Sequence, residues 1–158
     1  MSINNDEFRS ALSRFASGVT VVTTTDAAGK LHGITVSAFC SVSLAPPLVL
    51  ICIEKTTPSH YAFEESEIFA VNILSESQVD VSQQFAAPFL DKFDGIDYVI
   101  GDLGAPIISN ALVNLECHLR HSLSGGDHSI FVGEVNSIKI DDGKPLVYFK
   151  GNYRKLIG

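Results

Sequence analysis

The sequence predicts a mainly β protein: an antiparallel barrel with a few short helices, built as one domain over residues 1–158. Apolar, β-branched runs recur along the chain. Tight turns join them, at Asp26-Ala27-Ala28-Gly29-Lys30, Gly125-Gly126-Asp127 and Asp141-Asp142-Gly143-Lys144. No rhythm of strand and long helix is present, which argues against a doubly wound parallel sheet. No internal repeat, low-complexity stretch or linker interrupts the 158 residues, a length that suits one domain with a substantial core.

Taken in order, Asn4 to Ser17 reads as a helix. Asn4 and Glu7 form a capping-box pattern, and Phe8, Leu12, Phe15 and Ala16 fall on one face. Gly18 ends it, and Val19 to Thr25, β-branched without a break, reads as a strand that returns over Leu31 to Val36. A stretch of small and hydroxylated residues follows (Thr35, Ser37, Ala38, Cys40, Ser41, Ser43, Ala45) and stops at Pro46-Pro47. Leu48 to Ile53 is a continuous apolar run, expected to be a strand buried on both faces. Ser59 is placed to cap a short helix carrying Tyr61, Ala62 and Phe63. Ile68 to Leu74 is a further strand, and Ser75 with Gln78 opens a helix to about Phe85. After an irregular segment from Ala86 to Gly95, strands are expected over Tyr98–Ile100, Ala111–Leu123, Ser129–Ile140 and Leu146–Lys150.

Composition bounds the partners. Hydrophobic residues make up 46% and charged residues 18%, a globular and not a disordered balance. The formal net charge is −7 with no Lys/Arg cluster, so nucleic acid is not expected as a partner. No apolar run is long enough to span a bilayer, and residues 1–15 lack an apolar signal core, so neither membrane nor secretion is expected. Cys40, Cys52 and Cys117 are odd in number and widely spaced, which argues against disulfides and zinc and fits a reducing cytoplasm.

Three candidate sites stand out. The stretch from Thr35 to Ser43 is too poor in bulky residues for a plain core strand. It reads either as a strand with one solvated face or as a surface that lets a ligand approach the backbone. With Lys55 and Ser59 it makes a candidate phosphate site, although neither glycine-rich nucleotide fingerprint is present. His128, in Gly125-Gly126-Asp127-His128, reads as a proton-transfer or ligand-positioning group, or as a half-buried hydrogen-bonding residue. At the terminus, Tyr153 and Arg154 beside Gly151 read as a stacking pair for a planar anion, or as a frayed basic tail. Cys40 reads as a buried packing cysteine rather than a nucleophile. His118 and His121, three apart in a strand, are expected on opposite faces, and no metal site is expected. No Ser-His-Asp order or carboxylate pair suggests hydrolysis.

These segments, GVTVVTT (18–24), HGITVSAFCSVSLAPPLVLICI (32–53), FAVNIL (69–74), QFA…KFDG (84–95), GDHSIFVGEV (126–135) and PLVYFKGNYRKL (145–156), together resemble the short-chain flavin reductase family with the FMN-binding split-barrel fold. Ala45 departs from the acidic residue the family often carries before Pro-Pro, and the chain ends soon after Arg154, short of the tail some members carry. The resemblance implies a dimeric split barrel and an NAD(P)H:flavin oxidoreductase that supplies reduced FMN or FAD to a partner flavin-dependent monooxygenase. It implies Thr35, Val36, Ser37 and Ala38 along the isoalloxazine and ribityl chain, with Cys40 and Ser41 beside them and Cys52, Ile53 and Lys55 continuing the pocket. Ser59, Phe85 and Ala86 would close around the phosphate end. His128, with Tyr153 and Arg154, would position NADH or NADPH. The alternative is an FMN-binding electron-transfer module of the same fold without efficient NAD(P)H turnover.

Overall fold

The computed structural model describes residues 2–88 and 91–158. Asn4 caps α1 (Asn5–Leu12): its side-chain oxygen accepts from the N–H groups of Asp6 and Glu7 at 2.8 and 3.2 Å. The helix stops at Leu12, short of the expected Ser17. There the ladder tightens to Arg14 N–H with Ala11 O and Phe15 N–H with Leu12 O, while Ser13 and Arg14 side chains donate to Ser10 O. Phe8, Leu12 and Phe15 lie exposed, so the apolar face read from their spacing does not pack onto this chain's own core.

The next elements are β1 (Ser17–Gly18), β2 (Thr20–Thr25), β3 (Leu31–Val36), β4 (Phe39–Leu44) and β5 (Pro47–Glu54). They lead to α2 (His60–Glu65), β6 (Ile68–Ile73) and α3 (Val79–Ala86). The chain closes with β7 (Tyr98–Ile100), β8 (Pro106–Ile108), β9 (Val113–Gly125), β10 (His128–Ile140), β11 (Val147–Phe149) and β12 (Asn152–Arg154). Two boundaries differ from expectation for local reasons. Ser59 makes no side-chain capping bond to α2. Ser75 remains extended, bridged to Pro145, so α3 begins only at Val79 even though Gln78 Oε1 accepts from Ser75 N–H at 3.0 Å.

Every strand pair is antiparallel. The main sheet runs in the order β3-β2-β6-β9-β10-β5-β4, with a small sheet β1-β11-β12 and a hairpin β7-β8 beside it. The outermost strands of the main sheet, β3 and β4, are consecutive in sequence and joined by only Ser37 and Ala38. The Ala38 carbonyl accepts from the N–H of Cys52 in β5 at 3.1 Å, so the link is tied to the far side of the sheet.

The strand covered on both sides is β2, not the expected run at residues 48–53. Val22 packs with Ile51, Phe63, Phe69 and Phe131, whereas its neighbour Val21 packs on the other face with Leu74, Phe85, Ile108 and Leu146. β5 instead alternates. Val49, Ile51 and Ile53 are buried while Leu48, Leu50 and Cys52 are half-buried, because among the described residues the second face is only partly covered. Asn72 cross-links the doubly covered region. Its amide donates to Val21 O at 2.9 Å, and its carbonyl accepts from Ile108 N–H at 3.0 Å and Asn114 Nδ2 at 2.8 Å.

Gly133 sits in β10 at a register shift. A Cβ there would lie 2.5 Å from Phe69 Cζ and 2.9 Å from Cys117 Cβ, both in the core. Gly133→Ala should therefore cost about 1–3 kcal/mol through overpacking. Urea unfolding reads this as a lower midpoint at unchanged slope; an unchanged midpoint would mean that the core yields around the extra methyl.

Candidate functional site

The small-residue stretch falls where the two edges of the main sheet are joined. β3 delivers Thr35 and Val36, the link supplies Ser37 and Ala38, β4 brings Cys40 and Ser41, and β5 sets Cys52 and Ile53 alongside. Ser37, Ala38, Cys40 and Ser41 are exposed, and Thr35 and Cys52 half-buried. The side chains of Val36 and Ile53 belong to the core, leaving their backbone to a ligand. Thr35 Oγ1 is engaged, donating to Ser82 O in α3 at 2.6 Å. Cys40 is not the buried packing cysteine expected, because it lies on an edge strand whose outer face is open. Cys117 fills that role; burial, with the adjacent Glu116 carboxylate, pushes its thiol up to about 12. Burial chiefly, and then the neighbouring Cys40, also raise the Cys52 thiol.

A second group gathers at the turn between β9 and β10. His128 pairs with Glu54 at the end of β5, and Lys55 N–H donates to Asp127 O at 2.9 Å. Lys55 Nζ donates to Ser124 Oγ at 2.6 Å, and His128 Nδ1 lies 2.7 Å from Asp127 Oδ1. That hydrogen bond from His128 holds the Asp127 carboxyl below the usual carboxylate range. Lys55 and His128, assigned from sequence to different ligands, thus share one turn.

The terminus is no frayed tail. Lys150 and Gly151, with φ of 51° and 76°, turn β11 into β12 as a tight hairpin. Tyr153 OH lies 2.8 Å from Ser82 Oγ, so a chain of contacts runs from Thr35 through Ser82 to Tyr153. Arg154 and Ala86 are exposed. Phe85 is wholly buried, edge-on to Phe93 at 4.9 Å, and its carbonyl accepts from Lys92 Nζ at 2.9 Å, so only its backbone faces a ligand. Ser59 is half-buried and lines a cleft of about 630 Å³ together with His32, Tyr61, Lys92 and Tyr98.

Sequence reading missed Asp26, His32, Tyr61 and Lys92. Asp26 Oδ2 lies 2.9 Å from both His32 Nε2 and Tyr61 OH, and Oδ1 accepts from the N–H groups of Ala28 and Lys30. The hairpin Asp26–Lys30 could have signalled the Asp26–His32 half of this cluster, but nothing local points to Tyr61. The hydrogen bond from His32, helped by those from Lys30, Tyr61 and Ala28, holds the Asp26 carboxyl well below its ordinary value. His118 and His121 pair with Glu134 and Val132 around an extra residue at Arg120, which puts them on the same face and not on opposite ones. Among the described residues no group of three or more His, Cys, Asp or Glu is placed to hold a metal ion, and no helix is long and apolar enough to cross a membrane.

The antiparallel β scaffold thus bares small residues, hydroxyls and a thiol along a strand junction, with a lysine and a histidine on the neighbouring turn. The chain belongs to the flavin reductase like domain family, whose model matches residues 12–156. It is 42% identical over 145 residues to a probable flavin reductase of Rhizobium meliloti, covering 92% of this chain but 47% of that protein. It thus spans about half the length of that relative. It is 40% identical over 153 residues to the reductase subunit HsaB of a flavin-dependent monooxygenase from Rhodococcus jostii, covering 96% and 78% of the two chains. Among solved structures it superimposes on the NADH:FAD oxidoreductase SgcE6 of Streptomyces globisporus, determined with NAD and FAD fragments. That match has a TM-score of 0.93 and 36% identity over 98% of this chain and 93% of the other.

The Asp26 cluster makes stability pH-dependent with a defined sign. A carboxyl depressed in the folded state contributes stability above the unfolded carboxylate value of about 3.9, and that contribution is lost as pH falls below it. Urea midpoints measured from pH 6 down to about pH 3 should therefore fall more steeply for the wild type than for Asp26→Asn. Parallel curves would remove Asp26 as the cause.

Proposed function

We propose that this protein is an NAD(P)H:flavin oxidoreductase that reduces FMN or FAD with NADH or NADPH and passes reduced flavin to a partner flavin-dependent monooxygenase in the cytoplasm. The observation that carries this reading is the exposed row Ser37, Ala38, Cys40 and Ser41 at the junction of the two edge strands. Its side chains are small enough for a broad planar ring to reach backbone donors, and its hydroxyls are free of the core. The donor set fits a flavin. The bound flavin supplies the redox chemistry, accepting a hydride from the nicotinamide, and no protein nucleophile is needed.

The chain's own work is orientation. Thr35 to Ala38 hold the ring edge, with Cys40, Ser41 and Cys52 beside it and the backbone of Val36 and Ile53 beneath. Lys55 neutralises the flavin phosphate, and Ser59 with the backbone at Phe85 and Ala86 closes that end. His128, steadied by Asp127, would position the nicotinamide together with Tyr153 and Arg154; productive transfer requires reacting atoms roughly 3–3.5 Å apart. In this reading the main sheet closes as a split barrel through the Ser37-Ala38 link. Two copies form a homodimer over apolar surface that a single chain leaves open, including Phe8, Leu12, Phe15 and Leu44.

NADH oxidation by the purified protein, followed by near-ultraviolet absorbance, should depend on added FMN or FAD. No oxidation with either flavin, from protein that arrives yellow, would replace the enzyme with a flavin-binding module. His128→Ala should raise the KM for NADH about tenfold while leaving the flavin Kd within about twofold, as expected for one lost contact. Equal loss of both would move His128 into the flavin pocket. Lys55→Ala should weaken FMN more than riboflavin, which lacks the phosphate; equal weakening would remove the phosphate role.

A further inference from the structure

Helix α3 buries two residues, Ser82 and Phe85, and Ser82 is wholly enclosed. A serine inside a helix usually bonds back to its own preceding turn. Here Oγ leaves the helix and lies 2.8 Å from Tyr153 OH in β12. The carbonyl of the same residue accepts from Thr35 Oγ1 in β3 at 2.6 Å. One residue thus grips two strands that lie 47 and 71 positions away in the sequence.

The strand β12 has little else to hold it. It is the outer strand of the small sheet, paired among the described residues with β11 alone, and β11 meets β1 at only Ser17↔Tyr148 and Gly18↔Val147. Lys150 N–H adds one bond to Ser13 O at 2.9 Å. The Tyr153 ring stands edge-on to Tyr148 at 5.3 Å and packs against the cluster that holds Val21, Leu74 and Phe85. Apolar contact of that kind is non-directional. The hydroxyl pair is directional, and breaking it leaves a buried hydroxyl without a partner. At the other end of the relay, Thr35 sits half-buried beside the exposed junction row.

We propose that Ser82 is a positioning residue: holding Thr35 through its carbonyl and Tyr153 through its hydroxyl, it sets the spacing between the flavin strand and the nicotinamide side of the site. The inference rests on the reductase reading for what the two ligands are. Hydride transfer tolerates little error in spacing, because the reacting atoms must stand roughly 3–3.5 Å apart. Ser82 is closed off from solvent, so its contribution passes through the two residues it holds.

The test is a double-mutant cycle in the whole protein: Ser82→Ala, Tyr153→Phe and the two together. Ser82→Ala removes the hydroxyl and keeps the carbonyl, so the bond from Thr35 survives. In either single variant kcat/KM for NADH should fall about fivefold, as for one lost neutral hydrogen bond, with the flavin Kd within about twofold. The double variant should be no worse than the worse single. Calorimetric titration with NAD⁺ in the presence of FMN should show the same loss of affinity, and amide exchange in β12 should quicken in all three variants. Losses that multiply in the double variant overturn the proposal. So does an unchanged kcat/KM with only a lower urea midpoint, or an equal loss of flavin affinity. Should Ser82→Ala not fold, Tyr153→Phe breaks the same bond from a half-buried side chain, and its split between NADH and flavin decides. Failure of the reductase reading is separate: the wild type oxidises no NADH with either flavin, while exchange in β12 still quickens in the variants. In that case the tie stands and the spacing role falls with the reading.

Discussion

The architecture depends on one covalent constraint. Two residues, Ser37 and Ala38, must carry the chain from one edge of a seven-stranded sheet to the other. A link that short brings the adjoining ends of β3 and β4 together, and the hydrogen bond from Cys52 N–H to Ala38 O extends the β4–β5 ladder into it. Ser37, Ala38, Cys40 and Ser41 stand exposed at this junction and are not packed into the core. Their smallness leaves accessible backbone and hydroxyls on the outside. The scaffold's link and the candidate site thus coincide at Ser37 and Ala38.

The buried polar groups carry the rest of the specification. Asn72 reaches β2, the start of β9 and the β7–β8 hairpin with one amide side chain, and Thr23 Oγ1 donates to Pro106 O at 2.6 Å. Among the described residues no buried side-chain nitrogen or oxygen lacks a partner. Removing one member of such a network leaves others desolvated and unpaired, which generally costs more than the bond itself contributes. The doubly covered strand β2 thus acquires a fixed register from polar contacts as well as from the alternation of Val21 and Val22 between two apolar clusters.

Much of this was legible in the residues. The strand content, the turns at Asp26–Lys30 and Gly126–Asp127, and the unusual character of residues 35–45 follow from composition and local pattern alone. What failed was whatever depends on a remote neighbour. The apolar run at 48–53 looks buried on both faces, yet whether a second layer exists is a tertiary fact, and β2 has it instead. Cys40 looked like packing because small apolar surroundings usually are, but its strand is an edge. His118 and His121 obey alternation until the extra residue at Arg120 shifts the phase. The Asp26–His32–Tyr61 cluster spans 35 positions between its ends, beyond any local signal. Within the candidate site, the sequence singled out the junction residues and His128 one by one. It could not show that Lys55 and His128 share a turn, nor that Tyr153 is tied to Thr35 through Ser82.

The three thiols end up in three different environments along one ladder of strands. Cys117 is sealed in the core, Cys52 is partly covered, and Cys40 stands open on the edge strand at the junction. Alkylating reagents discriminate by access and by thiolate content, so a single mild reagent distinguishes the three positions without mutagenesis. Cys40 would in effect be a built-in reporter for the proposed site: a ligand settling on the junction would shield it and slow its labelling.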